Sequence, residues 1–187
     1  EYMGYVELHC HTNYSFQEGA SFIQELLTRA AALGYSALAI TDHDNLCGSM
    51  EFARTAYALG VQPIIGVEVT LNGGSHLTLL AENQQGYSNL CNLLSASYLT
   101  TGRSEPEMDP RFLADHTQGL ILLTGCHNGK VPYLVQHKRM DEAEKIVRCY
   151  VDWFGMNNVY VELQQNLVLG DTQRNQRLRN IARRVGI

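Results

Sequence analysis

The sequence predicts an α/β fold built on a parallel sheet or barrel, and three observations predict it. Short continuous apolar runs, typified by Ala37-Leu38-Ala39-Ile40, alternate with amphipathic helical stretches. Helical stretches stop at glycines: Gly34, Gly60 and Gly186. The chain has 187 residues, 45% hydrophobic and 18% charged, enough for one domain with a sizeable core.

Taken in order, Tyr5 to His9 reads as a first strand. Ser21 opens a helix, with Gln24 completing a capping box and Ile23, Leu26, Leu27, Ala30 and Ala31 forming its apolar stripe. Ala37 to Ile40 reads as a strand buried on both faces. A helix over Ser49 to Leu59 follows, then strands over Pro63 to Val69 and His76 to Ala81. Ser88 to Tyr98 reads as helix, Thr100 to Pro110 as a polar loop, and Leu120 to Thr124 as a strand between Gly119 and Gly125. Asp141, with Glu144 three residues on, caps a helix through Phe154. Val159 to Leu163 is a further strand, and Asp171 opens a basic last helix reaching Val185. A solvated face is the default reading of its arginines, with contact to DNA phosphates or to a larger protein body as the alternative.

Several classes are excluded or disfavoured. No run of about 18 apolar residues is present, so no transmembrane helix is expected. No secretory signal pattern opens the chain, which begins at Glu1 rather than Met. Five scattered cysteines without a C-x-x-C argue for a reducing, cytoplasmic setting rather than a disulfide framework. A net charge of −5 does not advertise nucleic-acid binding, although bound cations would alter the local field.

The chemistry gathers at strand edges. His9 and His11, at i and i+2 on a strand, point to the same side and make half of a metal site. Asp42 and His43 follow the second strand, Glu68 lies within the third, His76 opens the fourth, and Cys126 follows Leu120 to Thr124. Each has a bland reading, as a helix cap or a small buried thiol. Glu68 is the exception, because a carboxylate inside an apolar run needs a partner or a metal. Functional residues in such folds sit at the carboxyl ends of strands, and this many coincidences at one sheet edge predict metal binding.

These stretches carry a family resemblance. Leu-His-Cys-His-Thr at 8–12, Ile-Thr-Asp-His at 40–43 and Ile-Ile-Gly-Val-Glu at 64–68 resemble the PHP (polymerase and histidinol phosphatase) superfamily. Within it the chain is similar to the amino-terminal PHP domain of bacterial C-family DNA polymerases, replicative or error-prone. The stretches that carry this are 11–20, 41–48, 76–81 with 86–90, 123–126 and Tyr160-Val161-Glu162-Leu163-Gln164. The resemblance implies a distorted seven-stranded β/α barrel binding up to three divalent metals, with Zn²⁺ best suited and Mn²⁺ or Fe as alternatives. It implies His9, His11 and Glu68 at a first ion, Glu68 bridging to a second with His76 and Cys126, and Glu18 and His43 at a third. Glu18 stands where the family usually has Asp. Catalysis is expected to rest on Glu68, His9 and His11, with Asp42 orienting a neighbour rather than binding.

The implied activity is metal-dependent phosphoester hydrolysis, as a 3′–5′ exonuclease that proofreads or as a pyrophosphate-removing function beside a polymerase. The implied partners are a DNA 3′ end or another phosphoester, the remainder of the polymerase, and replisome subunits, with no membrane. The family's last two ligands, an Asp and a His, lie on a strand that should follow Ile187, so residues 1–187 are read as a single PHP domain incomplete at its carboxyl end. Two rivals stay open: a metal-stabilised structural module without catalysis, and a free-standing PHP phosphatase acting on histidinol phosphate or a nucleotide.

Overall fold

The computed structural model describes residues 4–101 and 106–187. Five strands, β1 (Ala37–Ile40), β2 (Gln62–Leu71), β3 (Ser75–Ala81), β4 (Leu120–Leu123) and β5 (Val159–Tyr160), form a sheet in chain order. The helices are α1 (Ile23–Ala32), α2 (Ser49–Ala58), α3 (Gln84–Thr101), α4 (Pro110–Ala114), α5 (Lys130–Gln136), α6 (Met140–Phe154) and α7 (Asp171–Val185). The α/β class stands, but the sheet is mixed rather than parallel. β1–β2 and β4–β5 pair parallel, while β2–β3 and β3–β4 pair antiparallel. The reason is local: Asn72-Gly73-Gly74 turns the chain back so that Leu71 faces Ser75, with Gly73 at φ 90° and Gly74 at φ 77°.

Two expected strands shrink. Tyr5 to His9 is not a strand; it makes one bridge, Glu7 to Leu38, and runs beside β1 through Ala39 N–H to Glu7 O and Thr41 N–H to Cys10 O. Val159 to Leu163 reduces to Val159–Tyr160, because the Glu162 N–H turns to Thr124 Oγ1 (3.0 Å) instead of a ladder carbonyl. Among the described residues there are therefore five strands where the resemblance implied seven. The sheet nevertheless curls, since the segment outside β1 meets the segment beyond β5 at His9 and Glu162.

The helices follow their capping chemistry. α1 begins at Ile23, not Ser21: the Phe22 N–H donates to the Glu25 carboxylate (2.9 Å), so Glu25 rather than Gln24 closes the first turn. α6 begins at Met140 with Arg139 as its cap residue, and Asp141 sits inside the first turn, where its charge suits the positive helix end. Of the expected loop over Thr100 to Pro110, Thr100 and Thr101 end α3, Met108 bridges to Leu71, Pro110 opens α4, and residues 102–105 lie outside those described. α5 was not expected at all.

One core packs α3, α5, α6 and α7 against the sheet through Val67, Leu79, Leu93, Leu122, Val147 and Ile181. A second joins α1 and α2 to β1 through Ile23, Leu27, Ile40 and Phe52. The inner face of the curl is left as a groove of about 830 Å³, walled by Ile64, Leu80, Ile121 and Leu123 and reaching His9 and Glu162. No helix among the described residues is long and apolar enough to cross a membrane.

Candidate metal centre

The pairing of β1 with β2 carries the chemistry to one end of the sheet. Beyond Ile40 the parallel register continues as a bridge from His43 to Glu68, held by Glu68 N–H to Asp42 O and Asp44 N–H to Glu68 O. Across the other side of β2, Glu68 faces Thr78 of β3, two residues beyond His76. His9 and His11 come in from the segment alongside β1.

Glu68, 1% exposed, is the centre of the arrangement. Its Oε1 lies 3.2 Å from His9 Nε2. Its Oε2 lies 3.4 Å from His11 Nε2, 2.9 Å from His43 Nδ1 and 3.3 Å from His76 Nδ1. Ligand atoms of His9, His11 and Glu68 fall within 4.8 Å of one another, and so do those of His43, Glu68 and His76. Glu18, on a half-exposed loop, brings Oε2 to 3.5 Å from His11 Nδ1 and 3.4 Å from His43 Nδ1. Cys126 Sγ stands 3.9 Å from His76 Nδ1. The structure thus brings His9, His11, Glu18, His43, Glu68, His76 and Cys126 together. Asp42 contacts no imidazole; it accepts hydrogen bonds from Thr12 N–H (2.6 Å), Thr12 Oγ1 (2.7 Å) and Ser15 Oγ (2.6 Å), fixing the loop between His11 and Glu18.

Two glycines shape the approach. Gly19 packs where a Cβ would lie 1.9 Å from Thr12 O, which lets the chain after Glu18 fold back under His11. Gly125, at φ 87° and with a virtual Cβ 2.7 Å from His76 O, turns the chain so that Cys126 stands beside His76.

Two carboxylates at the site were missed by sequence reasoning. Glu162 Oε1 lies 2.8 Å from His9 Nδ1, and Asp44 Oδ2 lies 3.0 Å from His43 Nε2 while also accepting from Thr70 Oγ1 (2.7 Å). Glu162 carried the signal that singled out Glu68, an acid beside apolar residues at a strand end. Asp44, directly after Asp42-His43, was given no role of its own, yet it is buried and adopts a left-handed φ of 52°.

The electrostatics follow from this crowding. Burial alone would push the Glu68 carboxyl up, but the close approach of the His11, His43, His76 and His9 rings holds it far below the carboxylate range. Burial works to lower His9, yet its bonds to Glu162 and Glu68 hold it up at about 10. Asp44 and then Glu68 raise His43 to about 10. Burial, and secondarily the Glu68 charge, push the Cys126 thiol up to about 12.

The donor set fits divalent metal. His11 Nε2 and Glu68 Oε1 are buried with no hydrogen-bond partner among the described residues, and both face the cluster. Such orphaned atoms are costly unless something binds them. The mix of imidazole, carboxylate and thiol side chains is a donor set compatible with a divalent metal.

Comparison with known proteins agrees with this geometry. The family model of the PHP domain matches residues 7–166, and the chain belongs to that family. The chain is 39% identical over 201 residues to an error-prone DNA polymerase of Symbiobacterium thermophilum, covering 99% of this chain and 18% of that protein. DNA polymerase III subunit alpha of Treponema pallidum is 39% identical over 178 residues, covering 88% of this chain and 15% of that protein. The corresponding subunit of Thermus aquaticus is 36% identical over 200 residues, covering 98% and 16%. The chain therefore spans less than a fifth of the length of these relatives. Among solved structures, a proposed metal-dependent phosphoesterase from Bifidobacterium adolescentis shares the fold, with TM-score 0.60, 15% identity, and coverage of 97% of this chain and 84% of its own.

Proposed function

We propose that this chain is the metal-dependent phosphoesterase module of a DNA polymerase, working in the cytoplasm as a 3′–5′ exonuclease beside the polymerising body. The observation that carries the reading is the single buried carboxylate of Glu68 touched by four imidazoles. His9, His11 and Glu68 would hold one ion, Glu68, His76 and Cys126 a second, and Glu18 and His43 a third, with His43 also within reach of the second set. Divalent cations there supply Lewis acidity that activates water and offsets charge developing on phosphoryl oxygens. The protein residues do the rest. Glu68 fixes the spacing between the two imidazole pairs, and Asp42 holds the Thr12–Ser15 loop so that His11 and Glu18 keep their approach.

The likeness of most of the chain to parts of DNA polymerases supports DNA ends as substrate and the remaining polymerase as partner. The test is to strip the protein of metal, reload it with Zn²⁺ or Mn²⁺, and assay a 3′-labelled oligonucleotide and p-nitrophenyl phosphate. Hydrolysis that is lost in the His9→Ala/His11→Ala double variant is expected. Metal uptake without hydrolysis of either substrate would overturn the catalytic reading.

One observation favours a second reading, a metal-stabilised module without catalysis. The ligands come from four separate stretches, at 9–11, 43, 68 and 76, so ions there would cross-link the sheet. The same double variant separates the two. Lost nuclease with unchanged melting supports the enzyme, whereas collapse of the fold supports the scaffold.

A further inference from the structure

We propose that Glu162 is the positioning residue of His9, holding the ring so that Nε2 faces Glu68 and Nδ1 carries the proton. The inference rests on the metal-binding reading above and adds a residue that lies outside both three-ligand groups. Glu162 Oε1 lies 2.8 Å from His9 Nδ1, while the opposite ring nitrogen, Nε2, lies 3.2 Å from Glu68 Oε1. The two side chains are 8% and 9% exposed, so water does not compete freely for the contact. An imidazole has two chemically different nitrogens, and the hydrogen bond made by one decides what the other offers. A carboxylate on Nδ1 selects the tautomer with a free Nε2, fixes the ring plane and makes Nε2 a stronger donor to a cation.

Glu162 is itself held for this task. Its N–H donates to Thr124 Oγ1 (3.0 Å), the Thr124 N–H donates to Tyr160 O (3.0 Å), and Gln164 Nε2 donates to Glu162 Oε1 (2.7 Å). Beyond Tyr160 the chain thereby leaves the ladder and anchors a carboxylate instead. The Glu162 Oε1 faces the ring nitrogen not used toward Glu68, and Glu162 falls in neither group of candidate ligands. His9 stands apart from His11 here, since the acid facing His11 Nδ1 is the half-exposed Glu18 at 3.5 Å.

The experiment measures Zn²⁺ affinity by chelator competition, with metal-free melting recorded for every variant. Wild type is compared with Glu162→Ala, Glu162→Gln and His9→Ala, and with Glu162→Ala in the His9→Ala background. Glu162→Ala is expected to weaken Zn²⁺ binding about 10- to 100-fold. Glu162→Gln, whose amide oxygen still accepts from Nδ1–H, should recover most of that loss. In the His9→Ala background, Glu162→Ala should weaken binding no further, because the residue acts through His9. Wild-type affinity in Glu162→Ala, or an equal loss with and without His9, would overturn the proposal while leaving the metal site standing. Failure of the wild type to bind Zn²⁺ would overturn the metal reading and this proposal together.

Discussion

Glu68 is shared by four imidazoles, and Glu162 and Asp44 back two of them; these carboxylates govern how the site responds to pH. His9 and His43, both held up at about 10, are cationic at neutral pH in the metal-free protein. Metal ligands must be deprotonated, so Zn²⁺ uptake at pH 7.5 should release protons, and affinity should fall as pH falls. Calorimetric titration in two buffers of different ionisation enthalpy checks this, and a buffer-independent heat would contradict it. The sign for folding runs oppositely. A histidine raised above its ordinary value of about 6.5 contributes stability that is complete below that value and lost as pH rises through its folded value. The metal-free protein should therefore lose stability as pH approaches 10. Asp42 gives a second residue-scale prediction. It satisfies three donors from Thr12 and Ser15, all in fully buried residues. Asp42→Ala should destabilise the fold by about 2–3 kcal/mol, read as a shifted urea midpoint. At this scale the imidazoles and Glu68 were legible because their residue types fit metal chemistry at strand edges. Glu162 and Asp44 were not: Glu162 carried a strand-end signal like that of Glu68, but which imidazole an acid meets across space is not written in its sequence neighbours.

At the scale of elements, Gly125 and α7 carry the clearest consequences. Gly125→Ala must place a Cβ about 2.7 Å from His76 O at a left-handed φ. The chain has to shift there, and the expected cost is about 1–3 kcal/mol together with displacement of Cys126. Weaker Zn²⁺ binding measured alongside lower stability would show both effects, and an unchanged variant would contradict them. α7 is tied at its start by Asp171, which accepts from the backbone N–H groups of Asn166 (2.8 Å) and Val168 (3.1 Å) and pairs with Arg174 (2.9 Å). The Asn166 N–H first, then that of Val168 and the Arg174 charge, hold the Asp171 carboxyl below its usual range. Its contribution is complete above about pH 3.9 and lost as pH falls through the lower folded value. Asp171→Asn should flatten the acid limb of the stability curve, measured by denaturation from pH 6 to 2. Most helices were legible because amphipathic periodicity and terminal glycines agree. The antiparallel turn at β3 was not, because Leu77 to Leu80 are buried on both faces and show no alternation. The Asn72-Gly73-Gly74 turn held that signal in plain form.

For the whole molecule, the legible part was the α/β class and the end of the sheet where function sits. The illegible part was how far the sheet closes, since past β5 the Glu162 N–H turns to Thr124 Oγ1 rather than to a ladder carbonyl. Ions bound only by the folded state add stability by mass action, about 2.7 kcal/mol at a hundredfold excess over Kd. Chelation should therefore lower the melting temperature by roughly 5–10 °C, a drop absent from the His9→Ala/His11→Ala variant. The contact between His9 and Glu162 has a consequence in time as well as in space. The two are separated by 153 positions in the sequence. At synthesis rates of about 5–20 residues per second, His9 leaves the ribosome roughly 8–30 s before its partner exists. Local units such as the β2–β3 hairpin can form during that interval, whereas the junction that sets the His9 ring is among the last to close.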